Sequence, residues 1–372
     1  MDLVIDRDLL IRGLQRVQGI VERRTTNLAL AHVLLTARGD RLRITATDTL
    51  VTLVADYPAN IRTENELCVE AQHFFQIARS LSEPVVTLSL SGANRLQVKC
   101  GRSVFHLNTI GPEDFPPLSP RDEKKILRVR GADLRRLIEE TLFSISADDN
   151  RYGLNGAHLE EIKRPDGERR VRMCTTDGSR LSYSEARFDG EVGMGRKVLL
   201  PRKALGEVRK LCEEAETSWE VSFGDRSATF QGTDVTLTAR LVDGEFPDYR
   251  QVLPEVFRRK AEVDRAEFTD ALRRVSLVAT DRNHSVRFSF QPDGMLLSAD
   301  NVELGDAREE IAANLEGEPM TTGFNIKYFQ DLLGPTQSER LSLEMGDVLD
   351  PCIVKLSGRD DCLFIVMPMR LD

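Results

Sequence analysis

The stretch Ile5-Asp6-Arg7-Asp8-Leu9-Leu10-Ile11-Arg12-Gly13-Leu14 sets Ile5, Leu10 and Leu14 at a spacing that the chain uses three times. The same spacing returns as Val129, Leu134 and Ile138, and again as Val263, Phe268 and Leu272. A second mark is a small residue before Asp at the end of an apolar, strand-like run: Thr47-Asp48, Thr176-Asp177 and Ala299-Asp300. A third closes each unit with a proline: Phe115-Pro116, Phe246-Pro247 and Met367-Pro368. Three independent marks agree on a period of roughly 125 residues, which points to tandem domains rather than chance. The expected division is 1–122, 123–255 and 256–372.

Each repeat divides into two similar halves. Helical spacing of apolar residues predicts helices over 8–19, 132–143 and 265–276 in the first halves, and over 71–81, 201–212 and 325–334 in the second. Pro201 suits the first turn of its helix. Between helices lie alternating runs bounded by turns. Residues 103–109 alternate strictly, with Phe105 and Leu107 on one face. The fold class is therefore α+β: three tandem similar domains, each with two helices on antiparallel sheets.

A length of 372 residues allows three domains that each bury a core, and 41% hydrophobic with 30% charged residues is ordinary globular composition. No apolar run approaches the roughly 18 residues that span a bilayer, and the acidic start lacks a signal-peptide pattern. Six scattered cysteines without Cys-x-x-Cys suggest free, mostly buried thiols in a reducing cytoplasm. The net charge of −9 opposes nucleic-acid binding by the body as a whole. The six predicted helices nevertheless carry a basic excess, strongest at Arg202, Lys203, Arg209 and Lys210. Six domains of about 125 residues in a ring leave a hole of roughly 36 Å, and four leave roughly 15 Å. A duplex about 20 Å across passes only the larger hole, so two chains would be needed.

Enzyme signatures are weak. His32, His73, His106, His158 and His284 lack metal-ligand spacing, so no metal or cofactor is expected. Gly193-Met194-Gly195-Arg196-Lys197 has no following Gly-Lys-Ser/Thr and suits a turn. Asp48, Asp177 and Asp300 recur once per domain, which fits strand-end turns better than a shared metal or acid–base site. The alternatives are a metal-dependent nuclease or phosphohydrolase built on those carboxylates, and a DNA-independent peptide scaffold.

Five motifs then stand in order along the chain: Arg151-Tyr152-x-Leu154-Asn155-Gly156; Thr176-Asp177-Gly178-x-Arg180-Leu181; Val242-Asp243-Gly244-x-Phe246-Pro247-Asp248-Tyr249-Arg250; Gly323-Phe324-Asn325-x-x-Tyr328; and the ending Ile365-Val366-Met367-Pro368-Met369-Arg370-Leu371. Together they resemble the bacterial sliding clamp, the β subunit of DNA polymerase III. The resemblance implies a non-catalytic processivity factor without cofactors. It would be a head-to-tail homodimeric ring that slides on double-stranded DNA without reading sequence. Implied partners are the polymerase III α subunit, the clamp loader δ subunit, translesion polymerases, ligase and mismatch-repair proteins, with no membrane.

By the same resemblance the partner-peptide cleft is lined by Arg151, Leu154, Thr176, Gly178, Arg180, Leu181, Pro247, Val252, Asn325, Tyr328, Ile365, Met367, Pro368, Met369 and Arg370. Methionine suits a surface that accepts many short peptides, and Arg180 and Arg370 suit a carboxylate or carbonyls at the rim. Arg24, Tyr152, Arg202 and Lys203 are implied to meet DNA phosphate, and Phe105 and Leu107 to meet Leu277 and Val278 across the dimer seam. The chain departs from the family pattern at Ser179, where many relatives carry His, at Gly153 in place of an aromatic, at Thr25 and Thr26 after Arg24, and at the extra Asp372.

Overall fold

Strand alternation builds the sheets. In His32–Arg38, Val33, Leu35 and Ala37 point to the core; in Val51–Pro58, Val51, Leu53, Ala55 and Tyr57 do. The computed structural model describes every residue except 23–25, 93, 119–125, 149, 152, 191–197, 213–216, 255, 280–283 and 372. Arg24, Tyr152, Asp372 and the stretch 193–197 lie outside the described residues.

The helices are α1 Arg7–Val17, α2 Ala71–Ser80, α3 Gly131–Glu139, α4 Arg202–Leu211, α5 Arg265–Val275 and α6 Ile326–Leu333. Four are capped by the side chain just before them. Asp6 accepts from the amides of Asp8 and Leu9, Glu70 from Gln72 and His73, Asp264 from Glu267, and Asn325 from Lys327. All nine apolar residues of the first repeat mark are buried. Residues 132–143 are not one helix: α3 ends at Glu139 and a 3-10 turn covers Leu142–Ser144. Pro201 is not in the first helical turn. It ends the strand Val198–Pro201, which stands at one end of its sheet, where a missing amide hydrogen costs no ladder bond.

Contacts gather the chain into two compact units. One comprises Met1–Ala132, Asp189–Gly193 and Lys203–Leu241; the other comprises Asp133–Phe188, Met194–Arg202 and Val242–Asp372. The first holds a 13-stranded sheet and the second a 12-stranded sheet, with antiparallel pairing throughout. Each sheet contains a joint between repeats. Val51–Pro58 pairs with Val235–Arg240, and Arg180–Arg187 pairs with Cys362–Val366.

Turns beside the two joints share one construction. Thr47 Oγ1 donates to Val51 O, and Asp48 Oδ1 accepts from the amides of Leu50 and Val51. Thr176 Oγ1 donates to Arg180 O, and Asp177 Oδ1 accepts from Ser179 and Arg180. Both aspartates are thus turn caps. Asp300 departs from that expectation: it continues the strand Gly294–Asn301, exposed, and Asn301 caps the turn by accepting from Glu303 and Leu304. All six cysteines are buried as thiols outside any disulfide, and among the described residues no helix is long and apolar enough to cross a membrane.

Gly13 sits inside α1 because a Cβ there would lie 2.6 Å from both Ile44 Cδ1 and Tyr57 Cε2. Gly206, inside α4, has nothing within 4 Å of such a Cβ. Gly13→Ala is expected to cost about 1–3 kcal/mol by overpacking. Gly206→Ala is expected to add about 0.5–1 kcal/mol through helix propensity. Thermal denaturation of the two variants should therefore move in opposite directions, and a Gly13→Ala protein as stable as the parent would contradict this packing account.

Candidate functional site

The second joint carries an apolar face that residues outside its paired strands, Phe246 and Tyr249 among them, bury. Leu181 lies opposite Ile365, and Tyr183 opposite Leu363. Cys174, Leu199, Phe246, Tyr249 and Ile353 complete the buried cluster, and Leu253, Phe257 and Met367 lie half-buried against it. Beyond Val366 the chain leaves the sheet but stays tied. Met367 N donates to Ser179 O at 2.9 Å, and Met369 N donates to Gly323 O at 2.7 Å. Gly323 permits that approach: a Cβ there would lie 2.5 Å from Leu371 Cδ2 and 3.0 Å from Met369 O. Met367, Pro368 and Met369 are consequently half-buried, and Arg370 is exposed.

Around this segment the structure gathers most of the expected cleft residues. Arg151 Nη1 donates to Asp177 O at 2.7 Å, above the Thr176–Gly178 turn. Leu154 is half-buried, its amide bonded to Arg151 O. Tyr249–Val252 forms a 3-10 turn that buries Tyr249 in the cluster and leaves Val252 45% exposed. Pro247, two residues before Tyr249, is exposed.

Arg180 has a different part from the one expected. Its Nε donates to Asp177, its Nη1 to Asp331 on α6 at 2.6 Å, and its Nη2 to Phe143 O. Its guanidinium also lies 4.6 Å from the Tyr328 ring centre. With its donors so engaged and only 13% of its side chain exposed, Arg180 is a strut between the turn and α6. Arg370 alone of the two remains open to a ligand. Asn325 is the cap of α6, which fixes Tyr328 beneath Arg180.

Beneath the cluster lies a polar network that sequence reading missed. Tyr249 donates to Glu160, Arg172 donates to Tyr249 at 2.7 Å, and Arg250 reaches Glu160 at 2.8 Å. His158 stacks on Phe246 with ring centres 5.1 Å apart, its Nε2 3.7 Å from Glu160. Burial works to raise the Glu160 carboxyl, but His158, Tyr249 and Arg250 together hold it down at about 2. Burial and the neighbouring carboxylate push the Tyr249 phenol far above its usual range. Val348 and Leu349 were also missed. Both are exposed, in a loop held by Thr322 Oγ1 donating to Val348 O, one residue from Gly323. The only sequence signal for them is two apolar residues inside an acidic turn.

Gly153 has a local reason. Its φ is +85°, and a Cβ would collide with Glu245 O, so the backbone of another loop fills the space of a side chain. Lys203 Nζ is partnered by Asp48 and lies 3.4 Å from Ile20 O, which spends part of its charge locally. Arg202 reaches Ile145 O at 3.4 Å. Phe105 and Leu107 are half-buried on Ser103–Ile110, Leu277 is 72% exposed after α5, and Val278 packs on the core. Among the described residues no group of three or more His, Cys, Asp or Glu side chains is placed to hold a metal ion.

Tandem repeats are thus joined edge to edge, and at one joint the segment 367–370 lies beside a buried apolar cluster. The chain matches the family models for the DNA polymerase III beta subunit: N-terminal domain over 1–119, central domain over 128–248, and C-terminal domain over 250–370. The beta sliding clamp of Caulobacter vibrioides is 33% identical and that of Pseudomonas putida 32%, each aligned over all of both chains. Among solved structures, the sliding clamp of Caulobacter crescentus matches with TM-score 0.91 at 33% identity. A Pseudomonas aeruginosa clamp bound to griselimycin matches with 0.93 at 31%, and both cover all of each chain. The chain belongs to the DNA polymerase III beta subunit family, the beta sliding clamps, non-catalytic processivity subunits of that polymerase.

Because Glu160 is held below its unfolded value, its contribution is fully present above about pH 4.3 and is lost as pH falls toward 2. After solvent screening that contribution should be about 1–2 kcal/mol. Glu160→Gln is expected to lose it at pH 7 and to flatten the stability profile between about pH 4.5 and 2. Parallel urea titrations across that range test this; an unchanged slope would contradict it.

Proposed function

We propose that two copies of this chain close head to tail into a six-domain ring around duplex DNA, and that the cleft beside the C-terminus docks short peptide segments of replication and repair proteins. The three-repeat division 1–122, 123–255 and 256–372 supplies the six domains. The observation that supports the docking role is the half-buried segment of Met367, Pro368 and Met369, laid beside the buried cluster of Leu181 and Ile365, together with exposed Val252 and Arg370. Methionine there lets one cleft repack around different peptides. Expected occupants are segments of the polymerase α subunit, the clamp loader δ subunit, translesion polymerases, ligase and mismatch-repair proteins, acting in the bacterial cytoplasm.

The seam has two open sheet edges to use. Residues 103–108 pair on one side with Arg95–Cys100, and on the other side the strand pairs only through Thr109 and Ile110. Residues 305–312 pair on one side with Gly294–Asn301, and the strand turns to Arg259–Asp264 only beyond them. Exposed Arg95, Lys99 and Arg102 flank the first edge; Glu303, Asp306 and Glu310 flank the second, where exposed Arg308 pairs with Asp306 and leaves a net negative charge. Pairing these edges between copies hides both and sets opposite charges together. Phe105 and Leu107 then meet Leu277 and Val278.

For DNA we assign Arg24, Tyr152, Arg202 and Lys203, with contacts to phosphate and none to base edges. A protein loaded by the clamp loader with ATP is expected to stay on closed circular DNA and to be lost when the circle is cut. Equal retention on linear DNA would favour a scaffold that does not encircle. Leu107→Asp is expected to shift the dimer to monomer in analytical ultracentrifugation, and an unshifted dimer would overturn the seam.

A further inference from the structure

The two joints are built on the same strand register, so their residues can be compared place by place. Val51 lies opposite Ala239 as Arg180 lies opposite Val366. Asp56 N donates to Asp234 O at 2.9 Å as Glu185 N donates to Asp361 O at 2.7 Å. Arg240 N donates to Leu50 O at 2.8 Å as Met367 N donates to Ser179 O at 2.9 Å. Gly232, Thr233 and Asp234 therefore stand where the second joint has Arg359, Asp360 and Asp361.

Those replacements change the fastening. At the second joint Arg359 clasps Glu140, which is 2% exposed and also accepts from Ser184 Oγ. Arg136 pairs with Asp361 at 3.0 Å, and Arg164 bridges Glu185 and Asp360. At the first joint Gly232 offers no side chain to clasp anything. Arg16 pairs with Asp234 at 2.8 Å, Lys203 of α4 ties to Asp48 much as Arg180 ties to Asp331 at the second joint, and the Arg43–Asp56 pair is more exposed than its match, Arg172–Glu185. In place of the clasp there is a groove of about 1030 Å³ between α1 and α4, lined by Ile11, Gln15, Leu211, Trp219 and Gly232.

Backbone strain falls at the same joint. Gly178 takes φ +90° in the second turn, and its counterpart Thr49 takes φ +77°. A β-branched residue in that region is strained and is held there only by its surroundings.

From the missing clasp, the adjacent groove and the strained turn, we infer that the first joint, between Val51–Pro58 and Val235–Arg240, is the compliant hinge of the chain, and that the second is a locked joint that keeps the docking cleft in shape. The joint's compliance is a property of the free chain. Its use, as the place that yields when a loader opens the ring, rests on the ring proposed above.

Native-state hydrogen exchange on the intact protein without DNA tests the hinge, because exchange protection reports local opening. The paired amides supply the comparison. Asp56 and Arg240 should show protection factors about tenfold lower than Glu185 and Met367. Arg359→Lys keeps the charge but loses the two-pronged grip on Glu140. It should speed exchange at Glu185 and Met367 and leave Asp56 and Arg240 unchanged. Equal protection at the two joints in the parent protein would overturn the inference, as would an Arg359→Lys change spread over both joints. A protein that failed to be trapped on circular DNA would count against the ring and leave the exchange result standing.

Discussion

An unpaired sheet edge is the constraint on which the rest of this structure depends. The last strand of a repeat standing alone would expose a row of amides and carbonyls, and leaving such a row open invites aggregation. The chain answers by pairing the last strand of one repeat with an edge of the one before it, at Val235–Arg240 and again at Cys362–Val366. The second joint also fixes the segment beyond its last strand. After Val366 the chain is already bonded to the Ser179 turn, so Met367, Pro368 and Met369 are delivered to one place without a helix or strand of their own.

The same joint occurs twice, with different side-chain chemistry on its face. On the face covered by Phe246 and Tyr249 the second joint carries Leu181, Leu363, Ile365, Ile353 and Cys174, all buried. The first carries Thr52, Thr236, Thr238, Thr229 and Thr45 at the matching register positions. Threonine hydroxyls bond one another there, Thr47 with Thr52 and Thr229 with Thr238. A face satisfied by its own hydroxyls presents little apolar surface to remove from water, so a peptide gains little by binding it. One backbone design thus carries an apolar cluster at one joint and a hydroxyl-bonded threonine face at the other, and side-chain chemistry makes the difference.

The threefold repeat was legible because its marks are core residues, such as Leu10, Leu134 and Phe268, that every copy must bury. Of the residues that the resemblance implies for a cleft, the structure places Leu181, Ile365 and Met367 in one apolar cluster. The features that stayed hidden depend on partners far along the chain. Arg180 reads as a rim cation until Asp331, 151 residues away, is seen to hold it. Glu140 reads as a solvated helix residue until Arg359, 219 residues away, clasps it. The turn capped by Asn301 rather than Asp300 shows the smaller limit: a local pattern gives a turn's existence before its register.

We propose that the C-terminal segment completes a peptide-docking cleft on the second joint. The most direct test is the binding of a fluorescent Gln-Leu-x-Leu-Phe-type peptide to the full chain and to a chain lacking Met367–Asp372, with folding of both verified. Saturable binding to the intact protein that disappears on truncation is expected. Undiminished binding to the folded truncated chain, or none to the intact one, would contradict it.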